Sequence, residues 1–77
     1  MDTKQLGKVI RYHRKAAGLS QIQLAKLAGI GKNCTLAIEK GKETVQLNTL
    51  FAVLKVLNIS MEPKSMLMAK FYEDEGS

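Results

Sequence analysis

Glycine punctuation is what most limits the fold open to this chain. Gly18, the pair Gly29 and Gly31, and Gly41 interrupt a sequence whose apolar residues otherwise recur every three or four positions. Glycine adopts the left-handed backbone that stops a helix, so the spacing predicts a series of short helices. Helices shorter than about 12–15 residues are marginal alone in water. These must therefore be held by packing on one another.

The first helix is expected from about Lys4 to Ala17, N-capped by Thr3, with Leu6, Val9, Ile10, His13, Arg14 and Ala17 on its inner stripe and Gly18 as its left-handed end. Leu19 follows as a hydrophobic anchor. Ser20 and Gln23 fit a capping box that opens a second helix, whose buried face is Leu24, Ala25, Leu27 and Ala28. A tight link, Gly29-Ile30-Gly31, leads to a third helix, Lys32 to Lys40, closed by Gly41. Two short helices joined by about three residues that include glycine form the helix-turn-helix arrangement, with Ile30 expected to fill the space between them.

A fourth helix, Leu47 to Leu57, is apolar around most of its circumference. One face is expected inward and another toward a second copy of the chain. Asn58 suits its left-handed end. Ile59-Ser60-Met61-Glu62 then alternates before Pro63, which reads as a short strand over 59–63. Without a second strand in the chain, it would pair with the same strand of another copy across a two-fold axis. The expected organisation is one domain over 1–63 and a tail over 64–77 that extends the strand, forms a marginal helix, or orders on a partner.

At 77 residues the chain holds one domain, and its charge is uneven. Residues 1–42 carry nine Lys/Arg (Lys4, Lys8, Arg11, Arg14, Lys15, Lys26, Lys32, Lys40 and Lys42) against Asp2 and Glu39, a balance of +7, whereas Glu73-Asp74-Glu75 is acidic. A basic half of this kind suits a polyanion such as nucleic acid, although ordinary solvation accounts for any single lysine.

Catalytic patterns are missing. His13 has no neighbouring nucleophile, and Cys34 has no second Cys or His at metal-ligand spacing. The glycines do not form a phosphate loop. No enzyme activity, metal or cofactor is expected. Cys34 reads as a passive small side chain, with a redox role the other reading, since Lys32 lies nearby. The apolar runs are too short to span a membrane. The sequence after Met1 turns amphipathic at once, so no secretory signal and a cytoplasmic address are expected.

Ser20-Gln21, Leu24-Ala25, Gly29-Ile30, Ile38-Glu39 and Gly41, in this order and spacing, resemble the Xre-like helix-turn-helix domains, the family of the phage Cro and lambda repressor proteins. The likeness covers about residues 5–60. It implies an all-α, compact domain of four to five helices, lambda-repressor-like, with the short C-terminal strand pairing across a dimer. The size and the strand after the fourth helix further resemble HipB-like antitoxins, homodimeric repressors that bind HipA-type kinase toxins.

In that family the second helix of the motif enters the major groove. Carried onto this chain, the resemblance implies base reading by Lys32, Asn33, Leu36 and Ala37, and phosphate contacts from Ser20, Gln21, Lys40, Lys42 and Thr44. Leu36 departs from the family's usual polar residue and either touches a thymine methyl or caps the hydrophobic interior. Arg14 and Glu39 correspond to a partly buried salt bridge that fixes the recognition helix. Phe51, Leu54, Ile59 and Met61 are the expected dimer interface. The implied partners are double-stranded DNA, a second copy and a HipA-like kinase toxin, with no membrane. Two function classes stay open: a homodimeric DNA-binding repressor, and a protein-interaction module for which DNA binding is incidental.

Overall fold

The first helix of the computed structural model, α1 (Thr3–Ala16), starts on the carboxylate of Asp2, which accepts the Gln5 N–H at 2.8 Å. The cap is thus one residue earlier than the Thr3 expected from sequence. A carboxylate there also opposes the positive end of the helix dipole. The structure describes residues 1–75 and continues with α2 (Gln21–Ala28), α3 (Lys32–Glu39), α4 (Leu47–Val56) and α5 (Met68–Glu75). All regular structure among these residues is helical.

The first four helices end in one way. Gly18, Gly29, Gly41 and Asn58 take positive φ of 73°, 72°, 79° and 57°. The N–H of the next residue then reaches back to the carbonyl five positions earlier: Leu19 to Arg14 at 3.1 Å, Ile30 to Ala25 at 2.9 Å, Lys42 to Ala37 at 3.0 Å, and Ile59 to Leu54 at 2.9 Å. This closure satisfies carbonyls that a helix end leaves open. Three of the four closing residues, Leu19, Ile30 and Ile59, then turn inward onto the core. The capping box at α2 is complete, with Gln23 N–H donating to Ser20 Oγ at 3.0 Å and Ser20 N–H to Gln23 Oε1 at 2.7 Å.

Ile10, Leu24, Ile38, Val53 and Leu54, one or two from each of four helices, form the buried centre. Burying a side chain of this size contributes about 1.5–3 kcal/mol. α3 packs on α1 and α2, and α2 also packs on α4. Where α1 crosses α3 the approach is backbone to backbone. A Cβ on Gly7 would lie 2.6 Å from the carbonyl oxygens of both Ile38 and Glu39. Gly41 sits just as tightly against Lys4, with 2.6 Å from a built Cβ to the Lys4 Cα.

Two sequence expectations after α3 need correction. Among the described residues no β-strand exists, and the backbone of residues 60–64 makes no hydrogen bond to another of them. The alternating pattern at 59–63 lacks a ladder partner in one chain, and Ile59 is already committed to closing α4. Leu54, expected at a dimer interface, is only 3% exposed and belongs to the core. The tail forms the short helix α5, started by Ser65 Oγ accepting the Leu67 N–H at 3.3 Å. α5 buries none of its side chains. Gly76 and Ser77, the last residues of the expected 64–77 tail, lie outside the described residues. No described helix is long and apolar enough to cross a membrane.

Two substitutions test this packing. Gly7→Ala improves helix propensity by about 1 kcal/mol, yet its methyl has only backbone to push against, and such overpacking costs about 1–3 kcal/mol. A lower melting temperature is therefore expected. Thr35 is 1% exposed and its Oγ1 has no hydrogen-bond partner. Thr35→Val removes that stranded hydroxyl at nearly constant shape, and urea denaturation should show a gain of about 1 kcal/mol.

Candidate nucleic-acid interface

α3 buries Thr35 and Ile38 and turns its other side outward. Helical spacing aligns Asn33, Leu36, Ala37 and Lys40 on that outer side, at i, i+3, i+4 and i+7. Lys32, Asn33 and Lys40 are exposed, while Leu36 and Ala37 are half-buried. The helix begins on Gly31 with no side-chain cap, and the space where a Cβ would stand is open. Asn33 and Ala37 also line a cleft of about 420 Å³ with Cys34, Thr44, Gln46 and Thr49. The structure thus brings Asn33, Ala37 and Thr44 together. Lys42 stands on the other side of the same loop, beside Thr3 and Glu43.

The orientation of α3 is fixed by one polar cluster. Arg14 Nε donates to Glu39 Oε2 at 2.6 Å and its Nη2 to Oε1 at 3.1 Å, a two-point contact with only 9% and 4% of the two side chains exposed. The remaining guanidinium nitrogen, Nη1, donates to the Leu19 carbonyl at 2.9 Å. Gln21 Nε2 donates to Glu39 Oε1 at 3.3 Å. α1, the start of α2 and the end of α3 therefore meet at a single carboxylate, and the loop after α1 is tied to it through Arg14. Bidentate charged contacts of this kind are directional as well as strong, so they set an angle.

This cluster changes the picture of two expected phosphate contacts. The Gln21 side chain points to Glu39 rather than standing free at the amino end of α2. The Ser20 hydroxyl oxygen accepts the Gln23 N–H, which leaves its proton available to donate. His13 is exposed, with Nδ1 2.7 Å from the Val9 carbonyl oxygen. Of the expected interface residues, Phe51 and Met61 are exposed and Ile59 is half-buried. Among the described residues no three His, Cys, Asp or Glu side chains are grouped to hold a metal ion.

Sequence reading missed Gly7, Gln46 and Thr49. A lone glycine inside a helical pattern was the available signal for Gly7, because it lowers helix propensity without marking a turn. Gln46 and Thr49 gave no signal: their place beside Asn33 depends on how α4 folds back.

Short helices α2 and α3, joined by a glycine turn and locked by a buried ion pair, define a helix-turn-helix domain. The chain belongs to that family, since residues 10–63 match the one described as Helix-turn-helix (HTH_3). It is similar to the control protein C.SmaI of Serratia marcescens, 32% identical over 77 residues that span 99% of this chain and 90% of the relative. Among solved structures it resembles a chain in a HipA-HipB-O2-O3 complex, with TM-score 0.77, 27% identity, and coverage of 86% of this chain and 93% of that one. It also resembles the restriction-modification controller protein C.AhdI from Aeromonas hydrophila, with TM-score 0.68, 31% identity, and coverage of 75% and 88%.

Removing one partner of a buried pair leaves the other charge stranded, at about 3–5 kcal/mol. Glu39→Ala should lower stability by that order in urea denaturation. Gln21→Ala, which removes a single long hydrogen bond, should cost about 1 kcal/mol or less.

Proposed function

We propose that this chain is a sequence-specific, DNA-binding transcriptional repressor that works as a homodimer and has no catalytic step. The observation that carries the reading is the outer side of α3, where exposed Lys32 and Asn33 lie at the open amino end of a helix locked at its other end through Glu39. A recognition helix of this kind reads bases with its first residues. Lys32 donates to guanine O6/N7 and Asn33 pairs with adenine N6/N7, each worth about 1–3 kcal/mol of discrimination. Leu36 and Ala37 supply apolar contact to thymine methyls. Lys40, Lys42, Thr44 and the Ser20 hydroxyl bind phosphate oxygens on either side, with Gln21 serving chiefly to hold Glu39.

The second copy fits on α4. Leu47, Phe51 and Met61 are exposed, and with Leu6, Val9 and Leu50 they line a groove of about 790 Å³. Large apolar side chains exposed together on one groove suit an interaction site. Likeness to a chain in a HipA-HipB complex supports a further role, that of antitoxin to a HipA-type kinase toxin. The competing reading, a protein-interaction module, is favoured by α5, whose Phe71 and Tyr72 are exposed beside Met66 and Leu67.

The repressor reading predicts binding to an inverted repeat whose half-sites lie about 34 Å apart, one helical turn. Lys32→Ala combined with Asn33→Ala should abolish that preference in a gel-shift or anisotropy titration while leaving the melting temperature unchanged. Preference retained by the double variant would refute the base-reading assignment. Phe51 is 55% exposed, so Phe51→Glu leaves the core intact. It should turn a dimer into a monomer in analytical ultracentrifugation and remove cooperative binding to the repeat.

A further inference from the structure

The cations of α1 have no part in the interface described above. α1 contains Lys4, Lys8, Arg11, Arg14 and Lys15 and no carboxylate. Arg14 is consumed by Glu39, but the other four are exposed. At i, i+4, i+7 and i+11 they fall on one stripe of the helix. Among the described residues none of the four forms an ion pair or side-chain hydrogen bond. Like charges at this spacing destabilise a helix, and Lys4 also sits at the positive end of the dipole. Lys15, in the last turn, is favoured by the dipole, but the like-charge neighbours along the stripe work against stability in the free chain.

The stripe is continuous with the corner that follows α3. Gly41 presses against the backbone of Lys4, and Lys40 and Lys42 flank that contact. From there the four cations extend along about 16 Å of helix, at 1.5 Å per residue. Over that length one strand of B-DNA presents about five phosphates, at one per 3.4 Å. The stripe itself holds no apolar residue, and Tyr12, 71% exposed, stands beside it. The cores of protein–protein interfaces are depleted in lysine, whereas contact with a phosphate backbone needs little else.

We propose that Lys4, Lys8, Arg11 and Lys15 form a second track for the backbone of double-stranded DNA, leading on from the Lys40–Lys42 corner. The track takes phosphates, reads no sequence, and needs no base contact from α3. Its phosphates come from the flank of the duplex seated on α3 or from a second duplex. In either case a polyanion relieves the repulsion that the free helix carries.

The test uses the full chain and a random-sequence duplex of about 40 base pairs, with affinity measured from about 50 to 200 mM salt. The triple variant Lys8→Gln, Arg11→Gln, Lys15→Gln should reduce the slope of log K against log salt by about 2–3 units, since each phosphate contact contributes about 0.9. Circular dichroism and thermal melting should show the variant folded and no less stable. The Lys32→Ala, Asn33→Ala variant should keep the slope of the unmodified chain to within about one contact. If that α3 variant shows unchanged sequence preference, the base-reading assignment falls and the track stands. A folded triple variant with an unchanged slope overturns the track, and lost binding to polyglutamate alone would assign the stripe to an acidic protein instead. Energy transfer between two separately labelled duplexes identifies a second duplex as the source. Its absence, with an affinity that grows with duplex length, identifies the flank.

Discussion

Three of the helices, both members of the helix-turn-helix among them, meet at the carboxylate of Glu39. Arg14 approaches it from α1, Gln21 from α2, and Glu39 itself closes α3. Arg14 also holds the carbonyl of Leu19, the residue that closes α1. A hydrophobic core sets distances between helices but tolerates small rotations, because its contacts are not directional. The two-point contact between Arg14 and Glu39 removes that freedom. The burial of charge costs stability that a well-packed apolar pair would not. In return, α2 and α3, eight residues each, keep one relative angle.

The same junction explains the position of Gly7. For Arg14 to reach the end of α3, the two helices must cross closely, and at Gly7 they do so without an intervening side chain. Gly41 repeats the arrangement one step along the chain, against Lys4. A glycine in a helix interior costs about 1 kcal/mol of propensity. That cost is offset by the proximity it allows between two side chains on which the domain depends.

How much of this is legible in the sequence follows from the range of the forces involved. Helix ends are local events, so Gly18, Gly29, Gly41 and Asn58 and the Ser20–Gln23 box reveal them directly. The all-helical fold follows from those ends. The strand at 59–63 fails because a ladder is not a local property: alternation marks a segment that could pair, and pairing needs a second segment. Leu54 shows a related limit. On a helix apolar nearly all round, composition does not say which residue faces in, and burial selects Val53 and Leu54 while leaving Phe51 outside. At the candidate interface the residues on α3 are readable from spacing along a single helix. The engagement of Gln21 with Glu39 joins positions eighteen residues apart in the chain, and no periodicity reports it.

The four left-handed helix ends have a consequence for DNA itself. Each connection is closed by a hydrogen bond across its turn, and three of the four also anchor an apolar side chain in the core. Such a domain offers few hinges. When it meets a duplex whose groove differs slightly from the shape of α3 and its surroundings, the adjustment falls on the nucleic acid. Bending and twisting cost more for some base steps than for others. Base pairs that no side chain touches would then enter the selection of a binding site through their stiffness.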